Sequence, residues 1–162
     1  MQMDVNLSLE GTLTVLKPFG ISNIDQTYIS WLNDKQIVKY SNQRFLKHDR
    51  DSCLNYFASF KNSTNLFFSV RRLEDQLQIG TMTAYISPHH GTVDIGIMIG
   101  HKEVWGSGFG GDAWTTLSNW LLKQDRIRKV TAGTLACNLG MLNIMERTGM
   151  HHEATRKDQE IV

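Results

Sequence analysis

The chain has 162 residues and a formal net charge of +1 at pH 7, a length that suits one domain with one hydrophobic core. This near-neutral charge excludes a general attraction to nucleic acid or anionic membranes, and no apolar run approaches the roughly 20 residues of a membrane span. The first ten residues carry Asp4 and lack an apolar core, so no signal peptide is expected. Two cysteines without metal-type spacing, Cys53 and Cys137, favour a reduced, cytoplasmic protein, although a disulfide between them stays open.

Hydrophobic periodicity predicts strands and helices in alternation along the chain. Candidate N-caps mark three helix starts, namely Ser22 or Asn23, Asp49 or Asp51, and Asn138. The second, third and fourth strands are expected to form an antiparallel meander, and the fifth to run parallel to the fourth if the helix between them crosses the sheet. The predicted strands cover residues 12–16, 66–70, 77–87, 92–99, 129–136 and 152–161.

The most informative stretch is a β-rich run that leads through a glycine-rich loop into an amphipathic helix. Its glycines are Gly106, Gly108, Gly110 and Gly111. Backbone N–H groups at a helix start are unpaired and lie at the positive end of the helix dipole, and glycines let an anion approach closely. The pattern therefore predicts a phosphate-binding loop, with a glycine-rich turn that binds no ligand as the alternative.

Two familiar phosphate-binding patterns fit this loop poorly. The letters satisfy G-x-G-x-x-G, but a dinucleotide site also needs an acid about 20 residues further on, and the next strand ends at Ala136-Cys137 without one. The nucleoside-triphosphate loop needs a Gly-Lys-Ser/Thr triplet, which the sequence lacks.

The segment from Trp105 to Gly110 resembles the Q/R-x-x-G-x-G/A loop of the GNAT acetyltransferases. Its Trp-Gly-x-Gly-Phe form is similar to the branch that acetylates ribosomal-protein N-termini and to its small-molecule relatives. The tail also resembles the family pattern N-x-x-S/A…Y-x-K-x-G-F, with Met141, Met145 and Met150 in place of a small residue, tyrosine and phenylalanine.

The resemblance implies one GNAT domain over residues 1–162. It also implies an α+β fold, with a mixed, mostly antiparallel sheet of six to seven strands flanked by about four helices. Acetyl-CoA is the implied cosubstrate, and no metal is expected. Residues expected to bind the cofactor are Met98, Ile99, Trp105, Gly106, Ser107, Gly108, Phe109, Gly110, Gly111 and Asn138.

Two residues of the fourth predicted strand are candidates for catalysis. The resemblance implies that the backbone N–H of Ile99 polarises the thioester carbonyl, and that Asp94 accepts the amine's proton, directly or through water. A strand aspartate with no catalytic role is the alternative for Asp94. The family's thiolate acid is a tyrosine that here is Met145, and methionine cannot donate a proton.

The acceptor pocket is expected under the first two helices and the loop between them, where Trp31, Asn33, Tyr40 and Arg44 are candidate substrate-binding residues. Trp31 also fits a core position by its helical spacing. Cys137 has no activating His–acid pair in the sequence pattern, which predicts an inert buried thiol and direct attack by the amine without an acetyl-enzyme.

These observations predict a cytoplasmic N-acetyltransferase that transfers the acetyl group of acetyl-CoA to a primary amine. The acceptor is either a protein N-terminus or a small amine such as an amino sugar nucleotide. The alternative is a CoA-binding regulatory module with weak or lost catalysis. No nucleic acid or membrane partner is expected. A homodimer in which the C-terminal strands meet is a further expectation, because an open sheet edge needs cover.

Overall fold

The computed structural model describes residues 4–161, and within them the chain forms one six-stranded sheet with four α-helices. The sheet order follows the chain order, and every neighbouring pair is antiparallel except β5 and β6, which are parallel. This arrangement confirms the predicted α+β fold. The strands are β1 (Leu9–Glu10), β2 (Thr14–Pro18), β3 (Leu66–Arg72), β4 (Gln78–Ser87), β5 (Thr92–Ile99) and β6 (Lys129–Thr131), and the helices are α1 (Gln26–Asn33), α2 (Arg50–Lys61), α3 (Phe109–Leu122) and α4 (Leu139–Arg147).

The sheet separates two hydrophobic layers, because neighbouring side chains on a strand point to opposite faces. On β3, Phe68 packs into the layer that contains Trp114 of α3, whereas Phe67 packs into the layer that contains Tyr28 and Trp31 of α1. Helices α3 and α4 thus cover one face, and α1 and α2 cover the other. No helix in the described part of the chain has the length and hydropathy that a bilayer-spanning segment needs.

Helix starts depend on caps, and two of the three expected cap positions are confirmed. Asp49 caps α2 and Asn138 caps α4. Helix α1 begins later than expected, since its cap is Asp25, whose carboxylate accepts from the N–H of Tyr28. Asn23 instead uses its side-chain oxygen to accept from the N–H of Gly20 at 2.7 Å, so it caps a separate short turn.

Both ends of the sheet differ from the sequence-based prediction. The two-residue strand β1 pairs with β2 at Leu9 and was not predicted, because two residues carry no periodic signal. At the other edge, β6 stops at Thr131 instead of 136, since only Lys129 to Thr131 pair with β5. Residues 152–161 form no strand, and so the predicted dimer contact through C-terminal strands lacks its element; this exposed, charge-rich segment has no alternating apolar face.

The carboxylate of Asp112, in the first turn of α3, ties this helix to the start of β2. It accepts hydrogen bonds from the backbone N–H groups of Thr12, Leu13 and Thr14 at 2.8–3.0 Å, and from the Thr14 hydroxyl at 2.6 Å. Burial acts to raise the pKa of this carboxyl, but the hydroxyl and the three N–H groups outweigh it and lower the pKa. Asp112 thus anchors the helix that follows the glycine-rich loop.

We expect Asp112→Asn to lower the free energy of unfolding by about 2–3 kcal/mol at neutral pH, because hydrogen bonds to a charged group are the stronger ones. The folded-state pKa is lowered, so this contribution is present above the ordinary aspartate pKa and is lost as pH falls through the folded value. Urea unfolding should therefore show a smaller difference between variant and wild type near pH 3 than near pH 7. The exposed Asp125, changed to Asn, is the control, and a pH-independent difference would contradict the assignment.

Candidate functional site

One large cavity, of about 850 Å³, opens where the two layers meet β5. Its wall is formed by the sheet faces of β4 and β5, the loop between α1 and α2, the glycine-rich loop, the start of α3, and α4. Nine of the ten predicted cofactor-binding residues line it, the exception being Ser107, whose N–H donates to the Val104 carbonyl. The cavity therefore brings together residues that the sequence separates by about forty positions, from Met98 to Asn138.

The parallel pair β5–β6 separates beyond Asp94 and Thr131, and this separation leaves the end of β5 unpaired on one side. The N–H of Gly100 donates to the carbonyl of Ile79, a residue of β4. Because backbone groups alternate in direction along an antiparallel strand, the N–H of Ile99 points away from β4 and into the gap. Ile97 and Ile99 both line the cavity there. The predicted position of Ile99 at a divergent strand edge is thus present in the geometry.

The glycine-rich loop presents backbone N–H groups to the same gap. Gly106 and Gly108 have φ of +74° and +90°, in the left-handed region that favours glycine. Gly108 is the N-cap of α3 and offers no side-chain cap. Within residues 4–161, no protein acceptor is recorded for the N–H groups of residues 108–111, whereas the N–H of Asp112 closes the first helical turn on Gly108. Four such donors at the positive end of a 14-residue helix have the arrangement with which helix starts bind anions in other proteins.

Two contacts fix this loop against its neighbours. The indole N–H of Trp105 donates to the Ile99 carbonyl at 2.8 Å, so the loop is tied to the open end of β5. At Gly110, a Cβ atom would lie 3.1 Å from the Ile144 side chain of α4 and 3.7 Å from that of Ile99. The loop, β5 and α4 therefore meet closely at Gly110, where a side chain would press on Ile144.

Helix α4 forms the opposite side of the gap. The Asn138 side chain accepts from the N–H of Met141 at 3.3 Å and donates to the Thr134 hydroxyl at 3.0 Å, so the helix cap and the cavity-lining position coincide. Met145 also lines the cavity. Its thioether occupies the place where the resemblance implies a tyrosine, and it offers no proton.

Asp94 lies on β5, two residues from the cavity-lining Gly96 and on the same face of the strand. It is not itself a lining residue. Its carboxylate accepts from the Thr131 hydroxyl at 3.1 Å. Burial raises the pKa of Asp94, and the hydrogen bond from Thr131 lowers it by less. The aspartate is therefore held beside the cavity with a pKa shifted toward the range of a general base.

Of the four predicted substrate-binding residues, only Tyr40 lines the cavity. Trp31 is 6 % exposed and packs flat against Gly100, where no Cβ would fit, so it is a core residue, as its helical spacing also indicated. Asn33 bonds the backbone of Ile29 and His48 and holds a loop in place. Arg44 donates to the carbonyls of Ser41 and Ile161, away from the cavity.

The sequence analysis missed a set of hydroxyl groups on the α1–α2 side of the sheet. Thr81, Thr83 and Tyr85 share one face of β4 and line the cavity, and the Tyr85 hydroxyl lies 2.7 Å from that of Tyr56 on α2. The alternation of polar and apolar residues along β4 carried this signal, because one face of an otherwise buried strand is polar. Burial raises the pKa of Tyr56, and its bond to Tyr85 raises it further.

The positions of the two cysteines correct one prediction. Cys137 is exposed, which corrects the expectation of a buried thiol: it lies in the turn before α4, outside the hydrophobic layers. Cys53 is buried, and both cysteines are free. In the described range, no three His, Cys, Asp or Glu side chains are grouped in a way that could hold a metal ion.

The divergent pair of parallel strands beside a glycine-rich helix start is the arrangement that the resemblance to the acetyltransferases implies. A model of the acetyltransferase (GNAT) domain matches residues 14–151, and the chain belongs to this family. A GNAT-family acetyltransferase from Bacillus anthracis superimposes with a TM-score of 0.78 at 15% identity, covering 91% of this chain and 86% of that one. No curated protein matches the sequence significantly.

Two further solved structures are similar in fold and contain coenzyme A. RimL, a ribosomal-protein alpha-N-acetyltransferase, has a TM-score of 0.83 at 12% identity, with 96% of this chain and 90% of that chain covered. The aminoglycoside acetyltransferase AAC(6')-Ib has a TM-score of 0.75 at 14% identity, with 88% and 87% covered. At such identities the similarity shows the fold.

Proposed function

We propose that this protein transfers the acetyl group of acetyl-CoA to a primary amine, by direct attack of the amine on the thioester. The observation that carries the proposal is the position of the free N–H groups of residues 108–111 beside the unpaired end of β5, in one cavity. A cofactor with a pyrophosphate and an extended polar arm fits this arrangement, because the helix start can bind the anion and the open strand edge can pair with amide groups.

Each part of the cavity has a separate role in the proposed reaction. The glycine-rich loop would hold the pyrophosphate, and Asn138 would bind the cofactor's arm. The N–H of Ile99 would donate to the thioester carbonyl as negative charge develops on its oxygen, an effect of about 3–4 kcal/mol for one well-placed donor. A C–N bond forms while the C–S bond breaks, so the nitrogen loses a proton and the sulfur gains one. Asp94 is the proposed acceptor of the first proton.

The acceptor is proposed to be a protein N-terminus or a small amine such as an amino sugar nucleotide, and the protein is proposed to act in the cytoplasm, which its free cysteines support. One observation favours a second candidate, a CoA-binding regulatory module. Met145 lines the cavity and cannot protonate the leaving thiolate. In the proposed acetyl transfer, the leaving thiolate takes its proton from solvent, which reaches the sulfur through the open side of the cleft.

The test is amine-dependent release of free thiol from acetyl-CoA by the full chain. The acceptor panel contains peptides with a free N-terminus, amino sugar nucleotides and an aminoglycoside, and mass spectrometry identifies the acetylated product. Thiol and acetyl-amine in equal amounts support the transferase. Tight binding of acetyl-CoA in calorimetry, with no thiol released by any acceptor, would support the regulatory module instead.

We expect Cys137→Ala to keep most of the acetyl-transfer activity, because an exposed cysteine without an activating base is a poor nucleophile. Rapid quench of a single turnover, followed by mass spectrometry of the intact chain, should show no acetylated protein. Cys53→Ala is the matched control. An acetyl group trapped on Cys137 during turnover would show a two-step reaction and overturn direct attack.

A further inference from the structure

The part of the cavity on the α1–α2 side of the sheet has no acidic side chain in its wall. Beyond the groups assigned to acetyl-CoA, this wall consists of hydroxyl, amide, aromatic and aliphatic groups, and its polar members include Tyr28, Tyr56, Tyr85, Thr83, Gln36 and Gln43. Among the described residues that line the whole cavity, Arg147 is the only one with a formal charge. Arg147 belongs to α4, which covers the opposite face of the sheet, so an acceptor bound on the α1–α2 side meets neutral hydrogen-bonding groups.

The acids closest to this wall are already engaged. Asp34 forms an ion pair with Lys102, with 2.6 Å between the carboxylate and Nζ, and Lys102 also donates to the Gln36 side chain at 2.7 Å. Asp94 lies opposite Tyr85 on the same face of the sheet, and it is the carboxylate assigned to the reacting nitrogen. Among the described residues, no carboxylate lines this wall. A second ammonium group bound against it would lose water without gaining an ion pair, which is costly.

The same wall can bind a ligand through hydrogen bonds from uncharged hydroxyl groups. The hydroxyls of Tyr56 and Tyr85 bond each other, so one of the two protons is used between them and the other can be donated to a ligand. Tyr85 is 42 % exposed and borders the cavity, so its hydroxyl is within reach of a bound molecule. Such a pair orients a hydroxyl, amide or carbonyl group, and it offers no charge compensation.

We infer that the acceptor site selects primary amines that carry no second positive charge near the reacting nitrogen, and that hydrogen-bonding neutral groups are accepted there. The inference rests on the proposed acetyl transfer and specifies its substrate class. Diamines, polyamines and aminoglycoside-like polycations are rejected, because the second ammonium meets hydroxyl and amide groups instead of a carboxylate.

The experiment compares acceptors that differ only in charge. The small pair is 4-aminobutanol and 1,4-diaminobutane, in which a hydroxyl replaces the second ammonium. The peptide pair consists of peptide amides that begin with methionine or with lysine. We expect kcat/KM for 4-aminobutanol to exceed that for the diamine by at least about 10-fold. The peptide pair should show a smaller ratio, because a lysine side chain can extend its charge to water.

A designed charge in the wall should reverse this preference. Gln43→Glu keeps the shape of the side chain and places a carboxylate on the acceptor side of the cavity. We expect it to shift the kcat/KM ratio toward the diamine by about 5-fold or more. Gln26→Glu, at an exposed position on α1 outside the lining, adds the same charge and should leave the ratio unchanged.

The outcomes separate the inference from the proposed function. Equal use of both members of each pair by the wild-type chain, or a Gln43→Glu ratio that matches wild type, would overturn the charge selection while acetyl transfer stands. Absence of thiol release with every amine in both pairs and in the acceptor panel would overturn the proposed function, and the inference with it.

Discussion

Gly108→Glu is expected to weaken acetyl-CoA binding by at least about 100-fold, because it places a carboxylate where the proposed pyrophosphate binds. Gly108 is the N-cap of α3, with φ of +90°, and it lies in the cavity wall. A glutamate there adds like charge to a site whose free N–H groups otherwise attract an anion. The measurement is isothermal calorimetry with acetyl-CoA.

A matched variant separates loss of the anion site from backbone strain. Gly149 has φ of +82°, has no atom within 4 Å of its would-be Cβ, and lies outside the cavity lining. Gly149→Glu should therefore lose a similar amount of stability in thermal unfolding and keep its affinity for acetyl-CoA. If Gly108→Glu binds acetyl-CoA as tightly as wild type, the glycine-rich loop is a turn without a ligand.

Asp94→Asn is expected to lower kcat by about 10²–10⁴-fold, which is the usual contribution of a general base. The affinity for acetyl-CoA should stay nearly unchanged, because the proposed cofactor contacts lie on the loop and on α4. Burial raises the pKa of Asp94, so the acidic limb of the wild-type pH–rate profile should lie above the ordinary aspartate range. High pH should partly rescue the variant, since a free amine has no proton to lose before attack.

The turnover of this variant, measured together with its stability, distinguishes a catalytic from a structural role of Asp94. A raised pKa in the folded state means that ionised Asp94 costs stability as pH rises through that value, so Asn should not destabilise the fold at neutral pH. Asp125→Asn, at an exposed position, is the control for the change of charge. Normal turnover in Asp94→Asn would assign the residue to the structure, and the proton would then leave the amine before binding.

Asp94 lies outside the cavity lining, so a bridging water is the expected route for the amine's proton. Asp94 shares a strand face with Gly96, and Gly96 lines the cavity opposite Thr83. The short carboxylate is held by Thr131 on β6. Thr131→Val should therefore reduce kcat by less than Asp94→Asn does, because it frees the carboxylate without removing it.

Features that depend on neighbours in the sequence were predicted correctly. The glycine-rich loop, the amphipathic helix α3 after it, and the cap at Asn138 all follow from backbone preferences and side-chain spacing within a few residues. For the same reason, nine of the ten residues predicted to bind the cofactor line the cavity, since they belong to one contiguous strand–loop–helix unit and one helix cap.

Features that depend on contacts across the fold were not predicted correctly. The length of β6 is decided by its separation from β5 after Thr131, and a strand-like composition through residue 136 cannot show where the pairing ends. Trp31 was a candidate ligand because an aromatic residue suits both a pocket and a core, and only its packing on Gly100 decides between them. The Tyr56–Tyr85 pair joins residues 29 positions apart, and no local sequence pattern predicts this contact.

The amino-acid sequence by itself thus determined where free N–H groups are presented, because such groups at a helix start arise from local backbone geometry. Only the tertiary structure decided which side chains face the acceptor. Sheet register selects the face on which Thr81, Thr83 and Tyr85 lie, and the separation of β5 from β6 opens the gap beside them. Both result from long-range pairing, whose energy depends on partners that the sequence does not place next to each other.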